Sequence, residues 1–157
     1  PGLVGKTRLI YPHWEGGRVR YFSGRNILGS ENNQDGRVIK SFNLPSALVG
    51  KRWLFYNQVY GRKAESCVAV EGQADAVTLG QWNISAAAIC GTSWEDHADE
   101  LRELRKRHAT IYIGLDGDDA GLKALHGQRN EWPLADILGP MARVLVWGDL
   151  PNEDANG

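Results

Sequence analysis

Along the last part of the chain, continuous apolar runs recur, each bounded by polar or glycine-bearing segments. "SCVAVEG" (66–72), "SAAAICG" (85–91), "ATIYIGLD" (109–116) and "RVLVWG" (143–148) lack the alternation of a half-solvated strand and predict strands buried on both faces. Stretches of helical period lie between them. "QADAVTLGQW" (73–82) places Ala76, Leu79 and Gly80 on helical spacing. Residues 92–108 keep Ala98, Leu101, Leu104 and His108 on one face behind a Thr92-x-x-Glu95 capping box. Residues 119–132 predict a further helix, and 133–140 a short helix or turn. Strands alternating with helices imply an α/β domain with a mostly parallel four-stranded sheet flanked by helices.

The earlier part has a different rhythm. Two extended runs, 8–14 and 18–25, surround Glu15-Gly16-Gly17 and predict a β-hairpin. Residues 26–37 are polar and glycine-bearing and read as a loop, while 38–45 and 53–60 predict further short strands. The reading is therefore a small β-rich lobe over 1–65 followed by the α/β domain over 66–157.

Charge sharpens that division. The 157 residues carry a net charge of only -1, yet residues 1–65 hold eleven Lys/Arg against four Asp/Glu, and residues 66–157 hold seven against fifteen. The first lobe is built to meet an anion, and the second concentrates carboxylates. No apolar run approaches the ~18 residues of a membrane helix, so no membrane partner is expected. The chain opens Pro1-Gly2 without a methionine and is read as a piece of a longer polypeptide. Cys67 and Cys90 sit singly in apolar runs and read as reduced core thiols of a cytoplasmic protein; no zinc is expected. The four histidines share no ligand spacing, His97 and His108 reading as surface or capping residues. Trp53, Trp82 and Trp147 read as packing residues.

Carboxylates crowd the ends of the apolar runs. Glu71 ends the first, Asp116, Asp118 and Asp119 follow the third, and Asp149, Glu153 and Asp154 follow the fourth. Sites in open parallel sheets form beyond the carboxyl ends of the strands. Two carboxylates about 4 Å apart repel by roughly 4 kcal/mol at an effective dielectric near 20, a penalty that an oxygen-seeking divalent cation removes. A loose acidic cup suits Mg²⁺, which keeps several waters and takes one or two protein carboxylates. Gly117 leaves room for a phosphate or metal between Asp116 and Asp118. Asp75 and Asp119 have a second reading as first-turn helix residues, and Asp149 and Glu153 read as solvated turn residues.

"VEGQADAV" followed about forty residues later by "LDGDDAG" resembles the Toprim domain, shared by bacterial-type primases, topoisomerases and several nucleases. Its signature is a Glu after the first strand and an Asp-x-Asp after the third, here Glu71, Asp116 and Asp118. "CGTSW" (90–94), "LPNEDAN" (150–156), "RLIYPHWEGGRVRYFSGR" (8–25), "IKSFNLP" (39–45) and "GKRWLFY" (50–56) are similar to segments of the primase polymerase core, cellular, phage-encoded or helicase-primase-like. The resemblance implies template-directed synthesis of short RNA primers from NTPs on single-stranded DNA, in the cytoplasm at the replication fork. It implies Mg²⁺ or Mn²⁺ held by Glu71, Asp116, Asp118 and Asp154, with Glu71 as a further ligand or the proton acceptor, and Asp75 and Asn156 in support. Asn156 stands where the family often has a second aspartate. Arg25, Lys40, Lys51 and Arg52 fall at positions resembling template- and nucleotide-contacting residues, with Trp14, Tyr21, Phe22 and Phe42 interleaved as candidates for base stacking. The family's zinc-binding and helical regions are not in this sequence, and a replicative helicase would be met through such missing parts. Another Toprim enzyme (a metal-dependent nuclease or topoisomerase fragment) and a non-catalytic nucleic-acid- or nucleotide-binding module are the alternatives. A dehalogenase-like phosphatase also has Asp-x-Asp but needs a later lysine, and no lysine follows residue 123.

Overall fold

The computed structural model describes residues 8–28, 36, 38–44, 55–56, 64–90, 94–117, 119–126 and 133–145. The expected hairpin is present. β1 (Arg8–Glu15) pairs antiparallel with β2 (Arg18–Asn26), and β2 with the short β3 (Ser41–Asn43), in a three-stranded sheet. Gly16 (φ 56°) and Gly17 (φ 76°) both adopt the left-handed region, the type I′ geometry that suits a two-residue hairpin and that side chains with a Cβ resist. A β-bulge falls between His13 and Trp14. Tyr11, His13, Tyr21 and Ser23 are buried on one face, where His13 Nε2 lies 2.8 Å from Ser23 Oγ and its ring meets Tyr21 edge-on at 4.9 Å.

The second sheet contains the four predicted parallel strands. β4 (Phe55–Tyr56) pairs antiparallel with β6 (Ala86–Ala88). β5 (Ser66–Val70) pairs parallel with β6 and with β7 (Thr110–Gly114), and β7 with β8 (Ala142–Val144), so the order is β4-β6-β5-β7-β8. The helices are α1 (Gln73–Gln81), α2 (Ala98–Arg107) after a 3₁₀ turn at Trp94–His97, α3 (Asp119–His126) and α4 (Pro133–Leu138). Leu101 and Leu104 of α2, Ala124 and Leu125 of α3, and Leu134 and Leu138 of α4 form one core with Cys67, Ala69, Ala87, Ile111 and Ile113 of the strands. Each buried Leu or Ile contributes roughly 1.5–3 kcal/mol by leaving water. α1 packs on β5 and β6 with Ala76 and Leu79 buried, an approach that the three small alanines of β6 permit. This is the expected α/β architecture.

Several boundaries differ from the sequence reading. The chain divides into two compact units between Trp53 and Leu54, ahead of the boundary expected after residue 65, because Phe55–Tyr56 hydrogen-bonds into the parallel sheet. The helix expected from Thr92 becomes α-helical only at Ala98. Thr92 lies outside the described residues, and the residue capping α2, His97, contributes no side-chain cap bond. His97 is buried rather than at the surface. His108, also buried, ends α2 and places its Nδ1 2.8 Å from the Ala64 carbonyl, tying the start of β7 to the start of β5. Trp82, expected to pack, is 64% exposed, since it sits at the C-cap of α1, past the face that meets the sheet. Trp53 and Trp147 lie outside the described residues. Among the described residues, no helix is long and apolar enough to cross a membrane.

Candidate functional site

Strand order locates the crevice. From β5 the chain crosses to β6 on one side, then returns past β5 to β7 on the other, so the order reverses between β5 and β7. Helices leaving those two strands depart to opposite faces and open a gap beyond their carboxyl ends, where open α/β sheets bind ligands. Val70 is in register with Gly114. Glu71, one residue past Val70, and Asp116, two past Gly114, therefore leave the sheet at the same edge from strands about 4.8 Å apart. Both are half-buried. One carboxylate oxygen of Glu71, Oε2, is shut off from solvent. Two of the three signature acids thus leave the sheet at the same edge, from neighbouring strands.

The segments bearing these acids are held tightly. Gly72 is the extended N-cap of α1 (φ -109°, ψ 155°), and its N–H donates to Asp75 Oδ2 at 2.9 Å. A Cβ on Gly72 would lie 2.7 Å from that same oxygen. Asp75 is buried and folds back on the residue after Glu71, so the first-turn reading of Asp75 is realised in its geometry. Beyond β7, Gly121 in the first turn of α3 lies against the backbone of Asp116: a Cβ there would stand 2.0 Å from the Asp116 carbonyl oxygen. Asp119 is exposed in the first turn of α3, where the helix dipole favours a negative charge. The role of Gly121 was not read from the sequence, although a glycine in a first helical turn, about 1 kcal/mol worse there than alanine, is a signal that could have found it. Cys90, past the end of β6, adopts φ 61° with its Sγ 3.5 Å from the Ala88 carbonyl oxygen; no sequence signal marks that conformation.

Asp118, Asp154 and Asn156, and the cations Lys51 and Arg52, lie outside the described residues. Among the described residues no group of three His, Cys, Asp or Glu side chains is placed to hold a metal. The donors at the crevice are carboxylates, the chemistry of a hard cation such as Mg²⁺ or Mn²⁺. On donor type, Glu71 and Asp116 fit such an ion.

In the first unit Arg25 and Lys40 are exposed at one corner of the sheet. Arg25 pairs with Ser41, and the N–H of its neighbour Asn26 donates to the Lys40 carbonyl at 3.0 Å. Of the aromatic stacking candidates, Tyr21 is only 1% exposed and hydrogen-bonds to the Leu44 carbonyl, which removes it. Trp14 and Phe22 are 46% and 42% exposed, and Phe42 carries the Arg8 guanidinium 3.3 Å from its ring centre.

Residues 68–137 match a family model described as Toprim-like. No curated protein matches the chain in sequence. Among solved structures, the zinc-binding and RNA polymerase domains of the Aquifex aeolicus primase match with a TM-score of 0.67 and 26% identity, over 95% of this chain and 36% of that one. The primase fragment of the bacteriophage T7 primase-helicase protein matches with a TM-score of 0.64 and 21% identity, over 98% of this chain and 58% of that one. A chain from the bacteriophage T7 lagging-strand DNA polymerase assembled with primase domains, an RNA/DNA hybrid and dTTP matches with a TM-score of 0.59 and 17% identity, over 97% and 71%. The two T7 likenesses show the fold alone. The chain thus spans little more than a third of the first of these structures and under two thirds of the second.

Proposed function

We propose that this chain, whose residues 68–137 form a Toprim-like domain within a core resembling primase fragments, is the catalytic part of a DNA primase that makes short RNA primers on single-stranded DNA. The observation that carries the reading is that Glu71 and Asp116 follow neighbouring strands at one sheet edge, where strand order reverses. Asp116, Asp118 and Asp154 would hold Mg²⁺ or Mn²⁺, with Asn156 at its margin. The ion supplies polarisation of the phosphoryl oxygens and charge neutralisation at the leaving pyrophosphate. Glu71, at the same edge, either completes the ligand set or accepts the proton of the attacking 3′-hydroxyl. Asp75 fixes Gly72, and through it the backbone that carries Glu71. Arg25, Lys40, Lys51 and Arg52 would hold phosphates of the template or the incoming NTP. A replicative helicase would be engaged through segments beyond this piece.

Two measurements test this. Calorimetric titration with Mn²⁺ gives binding that is lost in the Asp116→Ala, Asp118→Ala double variant; unchanged binding refutes the metal assignment. Incubation with single-stranded template, NTPs and Mn²⁺ yields short RNA. Template degradation would instead identify a nuclease, and retention without product a binding module.

A further inference from the structure

We infer that Arg143 keeps the outer edge of the parallel sheet closed against pairing with a second copy of this chain. β8 (Ala142–Val144) is the edge strand of that sheet, bonded to β7 on one side. Ile111 N–H donates to the Met141 carbonyl at 3.3 Å, and Leu145 N–H donates to the Ile113 carbonyl at 2.8 Å. Backbone groups alternate in direction along a strand. Met141, Arg143 and Leu145 therefore turn theirs toward β7, while Ala142 and Val144 turn theirs outward. Both outward groups of Ala142 are already engaged. Its N–H donates to the Gly139 carbonyl at 3.0 Å, and its carbonyl accepts from Arg143 Nη1 at 2.8 Å. The same Nη1 also donates to the Pro140 carbonyl at 3.0 Å, so the guanidinium is folded along the rim of its own strand.

An edge strand presents backbone donors and acceptors that template another strand, and proteins blunt such edges with charge, proline or brevity. β8 opens a strongly β-prone stretch. The run from Met141 to Trp147, MARVLVW, holds neither proline nor glycine, and Arg143 is its only charge. Met141 and Val144 are 44% and 40% exposed. Low charge and high β-propensity without proline mark a segment prone to pair with itself. The register identifies the partner that Arg143 excludes. Two β8 strands meeting antiparallel about a twofold axis at Arg143 would set Ala142 of each against Val144 of the other. The outward-facing residues would then exchange both hydrogen bonds across a self-complementary interface. Arg143 would stand directly opposite its own copy, where like charges destabilise a pair. Arg143 thus opposes the pairing twice, by occupying the Ala142 carbonyl and by repulsion. This closure is independent of the metal and template readings above.

The test is sedimentation velocity of the full 157-residue chain over a concentration series. Arg143→Ala is expected to self-associate about 10- to 100-fold more tightly than wild type, because charged hydrogen bonds no longer have to be broken first. An Arg143→Ala variant that keeps the wild-type sedimentation coefficient throughout overturns the closure. The Val144 N–H faces outward, so proline there removes a donor that pairing needs and none that β7 uses. The Arg143→Ala, Val144→Pro double variant is therefore expected to return to the wild-type coefficient. Association persisting in it would trace to unfolding or to another surface, and overturns the closure. Arg102→Ala removes an equal charge from the exposed side of α2. Association in Arg102→Ala equal to that of Arg143→Ala also overturns it, since loss of charge alone would then suffice. Hydrogen exchange reads the edge directly: the Val144 amide should become protected in the Arg143→Ala assembly, and an unchanged rate overturns the pairing.

Discussion

Replacing Gly121 by alanine perturbs the candidate site without altering any polar group. A Cβ at that position would stand 2.0 Å from the carbonyl oxygen of Asp116, 3.0 Å from its carbonyl carbon and 3.2 Å from its nitrogen, where ordinary contact begins at 3.4 Å. Either the Asp116 backbone or the first turn of α3 must retreat by about 1.4 Å. Helix propensity works the other way, since Gly→Ala inside a helix gains up to about 1 kcal/mol. Overpacking against rigid backbone costs about 1–3 kcal/mol, so the net is a loss of about 1–2 kcal/mol, a melting-point drop of about 3–8 °C. The functional effect should be larger, because misplacing a reacting group by 1 Å costs about 100-fold in rate. Gly139→Ala is the control. Gly139 has φ 78° and a Cβ there would lie 2.8 Å from the Arg105 guanidinium carbon, after α4 and away from the crevice, so it should lower the melting point and leave Mn²⁺ affinity intact. Calorimetric Mn²⁺ titration and thermal melting of both variants decide the matter. Wild-type Mn²⁺ affinity in Gly121→Ala, or equal losses in the two variants, would refute the argument that Gly121 positions Asp116.

Glu71→Gln removes one charge from the crowded edge at nearly constant shape. Without metal it should raise stability to urea by about 1–2 kcal/mol, and with Mn²⁺ it should lose much of the stabilisation, about 2.7 kcal/mol at a hundredfold excess over Kd, that binding gives the wild type. A metal-free variant less stable than wild type would mean that the carboxylate serves the fold. Burial pushes the Cys67 thiol up from 9.0 to about 11, against a smaller lowering by its bond with Ser85. Unfolded Cys67 ionises above pH 9.0 and the folded thiol does not, so its contribution is intact below pH 9.0 and declines as pH rises toward 11, by up to about 3 kcal/mol. Urea melts of wild type and Cys67→Ala between pH 8 and 10.5 should converge as pH rises; parallel curves would contradict this. In the native protein a thiol reagent should reach the half-buried Cys90 and spare Cys67.

The parallel sheet was readable because most of its strands are apolar on both faces: Cys67–Val70, Ala86–Ala88, Ile111 and Ile113 are buried, whereas β8, expected to be buried as well, is an edge strand with Arg143 and Val144 exposed. Glu71 and Asp116 were readable for the same reason, since a carboxylate ending such a run stands at the sheet edge. That their strands are neighbours was not. Nothing in the spacing of 71 and 116 states that β5 and β7 are neighbours, which follows from the crossover that puts β6 on the far side. The start of α2 was misjudged because Thr92-x-x-Glu95 satisfies a local capping pattern, whereas the chain makes a 3₁₀ turn over 94–97 first. The aromatic residues of the first unit were ambiguous in sequence. Tyr21 and Phe22 are adjacent and chemically alike, and only register separates the buried ring from the exposed one.

The distribution of acids around the sheet supports the proposed ligand site over ordinary turn chemistry. If carboxylates merely decorated the turns after the strands, the end of β6 should resemble those of its neighbours, yet the residues following it are Ile89 and Cys90. Other acids nearby have local structural tasks: Asp75 accepts the Gly72 N–H, and Asp119 faces the amino end of α3. Setting these aside leaves Glu71 and Asp116 on the two strands that flank the reversal of order, and on those two alone among the described strand ends of the parallel sheet. Glu71 is also followed by Gly72, where a Cβ would lie 2.7 Å from Asp75 Oδ2, and the Asp116 backbone is crowded by Gly121. Stability by itself would favour separating two like charges at a half-buried edge. Their retention at one sheet edge is consistent in chemistry with the hard-cation site proposed above.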